Sequence, residues 1–60
     1  MNNLKKTRKE KGLTQLDMAK GTGLSLTWIA YAEKHEGLLS DLAKNKIATF
    51  LGVNIKQIFL

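Results

Sequence analysis

The sequence predicts an all-α fold of five short helices, packed as one compact domain over residues 1–60. Three observations predict it. The 60 residues include no proline, β-branched and polar residues do not alternate as they do in strands, and glycines or capping residues bound short periodic segments. A chain of this length buries only about 60% of the surface that it exposes when unfolded, so its core is expected to be small.

The residues at the helix ends predict the first two helices. Asn2 or Asn3 caps the first helix, which runs to Lys11 and stops at Gly12, the residue type expected just past a helix end. The T-Q-L-D segment, residues 14–17, fits the capping-box pattern and opens the second helix. The second helix is predicted over residues 15–22.

Single polar residues cap the other three helices. Ser25 follows the turn at Gly23 and caps a helix over residues 26–34, Ser40 caps one over residues 41–51, and Asn54 caps a last turn at residues 55–60. Spacing predicts that the apolar side of the fourth helix consists of Leu42, Ile47, Phe50 and Leu51.

The charge of the chain favours a polyanionic partner. Ten Lys and Arg residues against five Asp and Glu give a formal charge of +5. Such an excess favours nucleic acid first and an anionic membrane second, with a merely solvating lysine surface as the alternative. Half of the cations lie on the first helix: Lys5, Lys6, Arg8, Lys9 and Lys11.

Composition argues against several other classes of protein. No apolar run approaches the roughly 20 residues that span a membrane, and the absence of cysteine removes disulfides and thiolate metal sites. His35, the only histidine, stands beside Glu36, and no pair of carboxylates has a facing spacing. We therefore expect a cytoplasmic, nucleoid-associated protein that is not an enzyme and has no cofactor, metal or membrane partner.

Residues 15–34 match a motif of two helices joined by a short turn that contains glycine, the helix-turn-helix. Residues 12–34, GLTQLDMAKGTGLSLTWIAYAEK, and residues 46–59, KIATFLGVNIKQIF, resemble the lambda-repressor-like (Cro/XRE-type) helix-turn-helix domain of phage and bacterial regulators. The resemblance rests on L-T-Q opening the second helix, Ala19, Gly23, Ile29, Glu33 and the I-A-x-x-L-G-V run.

The resemblance implies a transcriptional regulator, such as a phage or bacterial repressor, that binds specific double-stranded DNA with helix 26–34 in the major groove. It also implies a structural pair between Arg8 and Glu33, and a contact from Gln15 to the DNA backbone. Thr7, Thr22 and Ala32 are smaller than the residues usual in the family.

The third helix has more apolar residues than one buried stripe requires. With Ile29 in the core, steps of about 100° per residue place Ala32 and Glu33 beside it and turn most of the others outward. The predicted outer face consists of Leu26, Thr27, Trp28, Ala30, Tyr31 and Lys34. It contains no Arg, Gln or Asn, which read guanine and adenine through paired hydrogen bonds.

Three interpretations of this face remain open. It contacts thymine methyls and base edges in DNA, with DNA shape adding specificity. Alternatively, it binds a regulatory protein partner, since Trp and Tyr are enriched at interface hot spots. In the third interpretation, Trp28 packs against the loop that follows the helix.

Phosphate contacts are predicted at the starts of helices, where free amides favour anions. Thr14 with Gln15, and Ser25 with Thr27, occupy two such starts. The resemblance adds Lys34 and His35, and Lys44 or Asn45 lies near a third helix start. A small homodimer patch is expected from Val53, Ile55, Ile58, Phe59 and Leu60, unless these residues cover the core instead.

Overall fold

The helices lie where the capping residues predict them. The computed structural model describes residues 2–35 and 39–59, in which there are five helices and no strand. The helices are α1 Leu4–Glu10, α2 Gln15–Thr22, α3 Leu26–Ala32, α4 Asp41–Leu51 and α5 Ile55–Ile58. The predicted all-α class and five helices are confirmed. α1 ends one residue before Lys11, α3 ends before Glu33 and Lys34, and Leu60 lies outside the described residues.

A side chain caps the start of each described helix. In α1 the capping side chain comes from the residue before the cap position. The Thr14 hydroxyl accepts from the Asp17 amide at 3.0 Å, and the Asp17 carboxylate accepts from the Thr14 amide at 2.9 Å, which completes the predicted capping box. Asn3 occupies the cap position of α1 without a side-chain bond, while Oδ1 of Asn2 accepts from the Leu4 amide at 2.9 Å. The remaining caps are Ser25, Ser40 and Asn54, as predicted.

The core takes one large, fully buried side chain from each described helix. These side chains are Leu4, Met18, Ile29, Ile47 and Ile58. Leu24, in the turn between α2 and α3, packs against this cluster while partly buried. The core is thin, so each of its members contributes a large share of the buried apolar surface.

The predicted apolar side of α4 is half wrong. Ile47 and Leu51 are buried, but Leu42 is 68% exposed and Phe50 is 38% exposed. The small residues Ala43 and Ala48 take their places beside Ile47. At about 100° per residue, Leu42 lies about 140° from Ile47, and Phe50 lies about 60° from it on the side opposite Ala48, so the two flank the buried stripe or face away from it.

The predicted dimer patch is largely part of the core. Ile58 is 1% exposed and Phe59 is 5% exposed, so neither side chain is available to a second copy of the chain. The backbone of the same segment is held as well, because the Asn3 amide donates to the Ile58 carbonyl at 3.0 Å. Of the described members, only Val53 and Ile55 remain partly exposed.

Gly21, in the last turn of α2, lets the Phe50 ring approach the helix backbone. A Cβ atom built on Gly21 overlaps that ring. The lack of a side chain at Gly21 thus makes room for an aromatic residue of α4. Phe50 is only 38% exposed although it lies at the edge of the buried stripe.

We expect Gly21→Ala to have opposite effects in two backgrounds. In a Phe50→Ala chain the substitution should stabilise the protein by about 1 kcal/mol, because alanine favours helix. In the parent it should destabilise the protein, because the new Cβ atom overlaps the Phe50 ring and displaces it. Urea unfolding of the four chains measures the coupling, which we expect to exceed about 1 kcal/mol. An equal gain in both backgrounds would contradict the close contact.

Candidate functional site

A three-residue turn, residues 23–25, joins α2 to α3. Gly23 has φ 76°, a left-handed conformation that only glycine adopts without strain. The Thr22 hydroxyl donates to the Met18 carbonyl at 2.7 Å and accepts from the Leu24 amide at 3.3 Å. Thr22 is therefore a buried polar residue whose hydroxyl fixes the turn, which explains a small polar side chain where an apolar one was expected.

The buried side chains of α3 determine which of its other side chains face solvent. Ile29 and Ala32 are fully buried. Leu26 is 47% exposed, Tyr31 is 40% exposed, and Thr27 is exposed as well. Ala30 lies between the two sides and is partly buried. The predicted outward orientation of Leu26, Thr27 and Tyr31 is confirmed.

Trp28 does not point to solvent as predicted. It is partly buried and packs against the core. Its ring lines a groove of about 260 Å³ with Leu24, Leu42 and Ala43, between α3 and the start of α4. Ser40, in the described end of the loop, lines the same groove. The structure thus supports packing of Trp28 against the core, beside a groove that both α4 and the described end of the loop line.

We expect Trp28→Ala to lower the free energy of unfolding by about 1–3 kcal/mol, because part of a large apolar ring leaves the core. Tyr31→Ala, on the same helix but on its outward side, is the matched control and should cost less than half as much. Thermal melts of both variants measure the difference. Equal costs would mean that the indole makes no net contribution to packing.

A buried ion pair connects α1 to the end of α3, as the resemblance implied. Nε of Arg8 lies 2.6 Å from Oε2 of Glu33, and the two side chains are 9% and 4% exposed. Nη2 of Arg8 donates to Oε1 of Glu33 at 3.4 Å, and Nη1 donates to the Leu13 carbonyl at 2.8 Å. Glu33 also accepts from Nε2 of Gln15 at 3.1 Å. The four residues form one network.

The network changes the predicted role of the start of α2. The resemblance implied that Gln15 contacts the DNA backbone, but the side-chain amide of Gln15 donates to Glu33. Thr14 is equally engaged, because its backbone amide and hydroxyl both bond to Asp17. The hydrogen bond from the Thr14 amide, with a smaller contribution from its hydroxyl, lowers the pKa of the Asp17 carboxyl. A carboxylate at this helix start opposes an incoming phosphate.

A cleft beside the ion pair brings two lysines together. It has a volume of about 490 Å³ and is lined by Lys5, Gln15, Ala30, Glu33 and Lys34. Sequence reasoning singled out Lys34 but counted Lys5 only among the solvated cations. The spacing indicates that Lys5 lies near the ion pair, since Lys5 lies three positions before Arg8 and so shares its side of α1.

The remaining predicted site residues occupy separate places. The rings of His35 and Tyr31 stack with centroids 4.4 Å apart, so His35 stays close to the outward side of α3. Nζ of Lys44 lies 5.6 Å from the centre of the Phe59 ring, beside the C-terminal segment. The Ser25 hydroxyl accepts from the Trp28 amide at 3.0 Å. Glu36 lies outside the described residues.

Two other kinds of site have no support in the described residues. Within residues 2–35 and 39–59, no three His, Cys, Asp or Glu side chains group together as ligands for a metal ion. No helix in the same ranges has the length and apolar character needed to cross a membrane.

No model of a known protein family, no curated protein and no solved structure matches this chain significantly.

Proposed function

We propose that this protein is a lambda-repressor-like helix-turn-helix domain that binds specific double-stranded DNA through α3 and regulates transcription. One observation carries the proposal. The two helices on either side of the Gly23 turn pack so that Ile29 and Ala32 hold α3 in the core, while Leu26, Thr27 and Tyr31 face outward. Leu26 and Tyr31 are 47% and 40% exposed, and exposed apolar surface of this kind favours a binding partner.

The dimensions of α3 suit the major groove. An α-helix with its side chains is about 10–12 Å in diameter, and the groove is about 12 Å wide, so α3 can lie in it. In helix-turn-helix proteins the second helix enters the groove and the first crosses the backbone. Lys5 and Lys34 flank α3, and the net charge of +5 favours the phosphates on either side.

One helix of this length contacts only a few base pairs, so the proposal includes binding at paired half-sites. Val53 and Ile55 are the described members of the expected dimer patch that stay partly exposed. Such a patch is small, and we therefore expect dimers to form on DNA rather than in dilute solution.

A protein partner in place of DNA is the second candidate function. It is favoured by the exposure of Leu26 and Leu42, which are 47% and 68% exposed, and by the apolar groove at Trp28. Aromatic residues beside exposed leucines are common at hot spots of protein interfaces. The family resemblance and the charge support DNA more strongly.

Selection of binding sites from random duplex DNA tests the proposal. We expect one short sequence to be enriched, and Thr27→Ala or Tyr31→Ala to weaken binding to it by about 1–3 kcal/mol. Binding to random duplex should change much less, because it is mostly electrostatic. Leu42→Ala is the control. The protein-partner alternative is favoured if no sequence is enriched, or if both α3 variants retain full affinity for the enriched duplex.

A further inference from the structure

We propose that α3 recognises the C5-methyl group of pyrimidines, so that 5-methylcytosine replaces thymine in its binding site while uracil and unmodified cytosine do not. The inference rests on the proposed function and specifies what α3 recognises in the major groove. It follows from which atoms of α3 are exposed and which nearby hydrogen-bond donors are already engaged.

The outward side of α3 offers carbon atoms rather than paired hydrogen-bonding groups. The helix sequence, LTWIAYA, contains no Arg, Lys, Asn, Gln, Asp or Glu. Leu26 is the most exposed of its large apolar residues; Ala30 follows it by one turn, and Tyr31 follows Thr27 by one turn. In the major groove, the apolar group that a base pair presents is the C5-methyl of thymine.

Polar side chains near α3 have other partners. Gln15 would be the natural reader of adenine, but its amide donates to Glu33 at 3.1 Å, within a network that includes the buried Arg8. The Ser25 hydroxyl accepts from the Trp28 amide at 3.0 Å. The amide of Gln15 is therefore held away from the bidentate bond that would select the adenine opposite the contacted pyrimidine, and Ser25 has only a hydroxyl.

Thr27 does not restore discrimination between thymine and cytosine. Its hydroxyl can donate to the O4 atom of thymine or accept from the N4 amine of cytosine. Thymine and 5-methylcytosine place the same methyl group at the same position in the groove. Contact with Leu26 or Ala30 consequently depends on the methyl and not on the base that carries it.

The test uses the duplex obtained by selection, with single replacements at each thymine of the half-site. Uracil at a contacted position should weaken binding roughly threefold to fivefold, the effect of removing one methyl from an apolar contact. Cytosine paired with guanine should be at least as weak as uracil. 5-Methylcytosine paired with guanine should recover affinity to within about twofold of thymine.

Leu26→Ala identifies the residue responsible. In this variant the difference between thymine and uracil at the position facing Leu26 should fall to less than about twofold, because the contacting carbons are gone. Leu42→Ala, another exposed leucine, should retain the full difference. Melting curves of both variants show whether they are folded.

The outcomes separate this inference from the proposed function. Specific binding that treats uracil like thymine at every position, or 5-methylcytosine like cytosine, would overturn methyl recognition and leave DNA binding intact. Lack of binding to any duplex, even at low salt, would overturn both.

Discussion

Replacing Glu33 with glutamine is expected to lower the free energy of unfolding by about 3–4 kcal/mol, the largest effect that we expect from any single change outside the apolar core. The pair with Arg8 is almost wholly buried, with exposures of 9% and 4%. Glutamine retains the size of the side chain but leaves the guanidinium in a site of low dielectric without its counter-charge. Small domains have a total stability of roughly 5–15 kcal/mol, so the variant should melt at a markedly lower temperature.

The loss should exceed that of an ordinary ion pair because the network has several members. Nη1 of Arg8 holds the Leu13 carbonyl at 2.8 Å, and the Glu33 carboxylate also holds Gln15 at 3.1 Å. When Glu33 changes, the loop before α2 and the start of α2 are expected to loosen together. Hydrogen exchange should therefore increase at the amides of residues 13–15 as well as in α3.

Thermal and urea unfolding measure this effect, with Glu10→Gln as the control. Glu10 is an exposed carboxylate on α1, and exposed charges contribute little, so its replacement should change stability by less than about 0.5 kcal/mol. Arg8→Met with Glu33→Met should recover part of the loss, because replacing both partners removes the unpaired charge. Equal melting of Glu33→Gln and the parent would show that the pair contributes nothing.

Local chemistry predicted most of the fold. Thr14, Ser25 and Ser40 each satisfy a helix amide that has no partner inside its own helix, a requirement that depends only on neighbouring residues. With Ile29 in the core, helical spacing also placed Ala32 and Glu33 on the buried side of α3 correctly. Such features can be predicted because they need no knowledge of the partner helix.

Features that depend on the partner helix could not be predicted in the same way. Phe50 left the buried stripe of α4 because Gly21, distant in sequence, offers a seat on α2. Trp28 is partly buried because it packs against the core cluster, to which every described helix contributes. Periodicity within one helix does not predict either contact, because each depends on residues of other helices.

In the candidate site, too, features that depend on one helix were predicted, and contacts between distant segments were not. The outward direction of Thr27 and Tyr31 follows from the position of Ile29 on the same helix. The engagement of Gln15 by Glu33 does not, because it joins residues 18 positions apart. The resemblance supplied the Arg8–Glu33 pair but assigned Gln15 to the DNA backbone, and a side chain that is committed to a buried carboxylate is less available for that contact.

Duplex DNA binding is expected to weaken about 250-fold to 1,000-fold when salt increases from 50 to 200 mM, as follows from a slope of −4 to −5 in log affinity against log salt. That slope corresponds to about four to six neutralised phosphates. The start of α2 offers few groups to a phosphate, because the Thr14 amide already donates to Asp17 and the Gln15 side chain already donates to Glu33. Most of the slope should therefore come from exposed lysines such as Lys34.

Lys34→Gln and Lys56→Gln separate a local contact from the overall field. Both lysines are exposed and both variants lose one charge, but Lys34 lies in the cleft beside α3 whereas Lys56 lies on α5. Lys34→Gln should weaken binding to every sequence to a similar degree and reduce the magnitude of the slope by about 1, because one phosphate contact is lost. Lys56→Gln should leave the slope nearly unchanged. A reduction of the same size in both variants would mean that net charge, and not the position of α3, determines how the protein meets the phosphates.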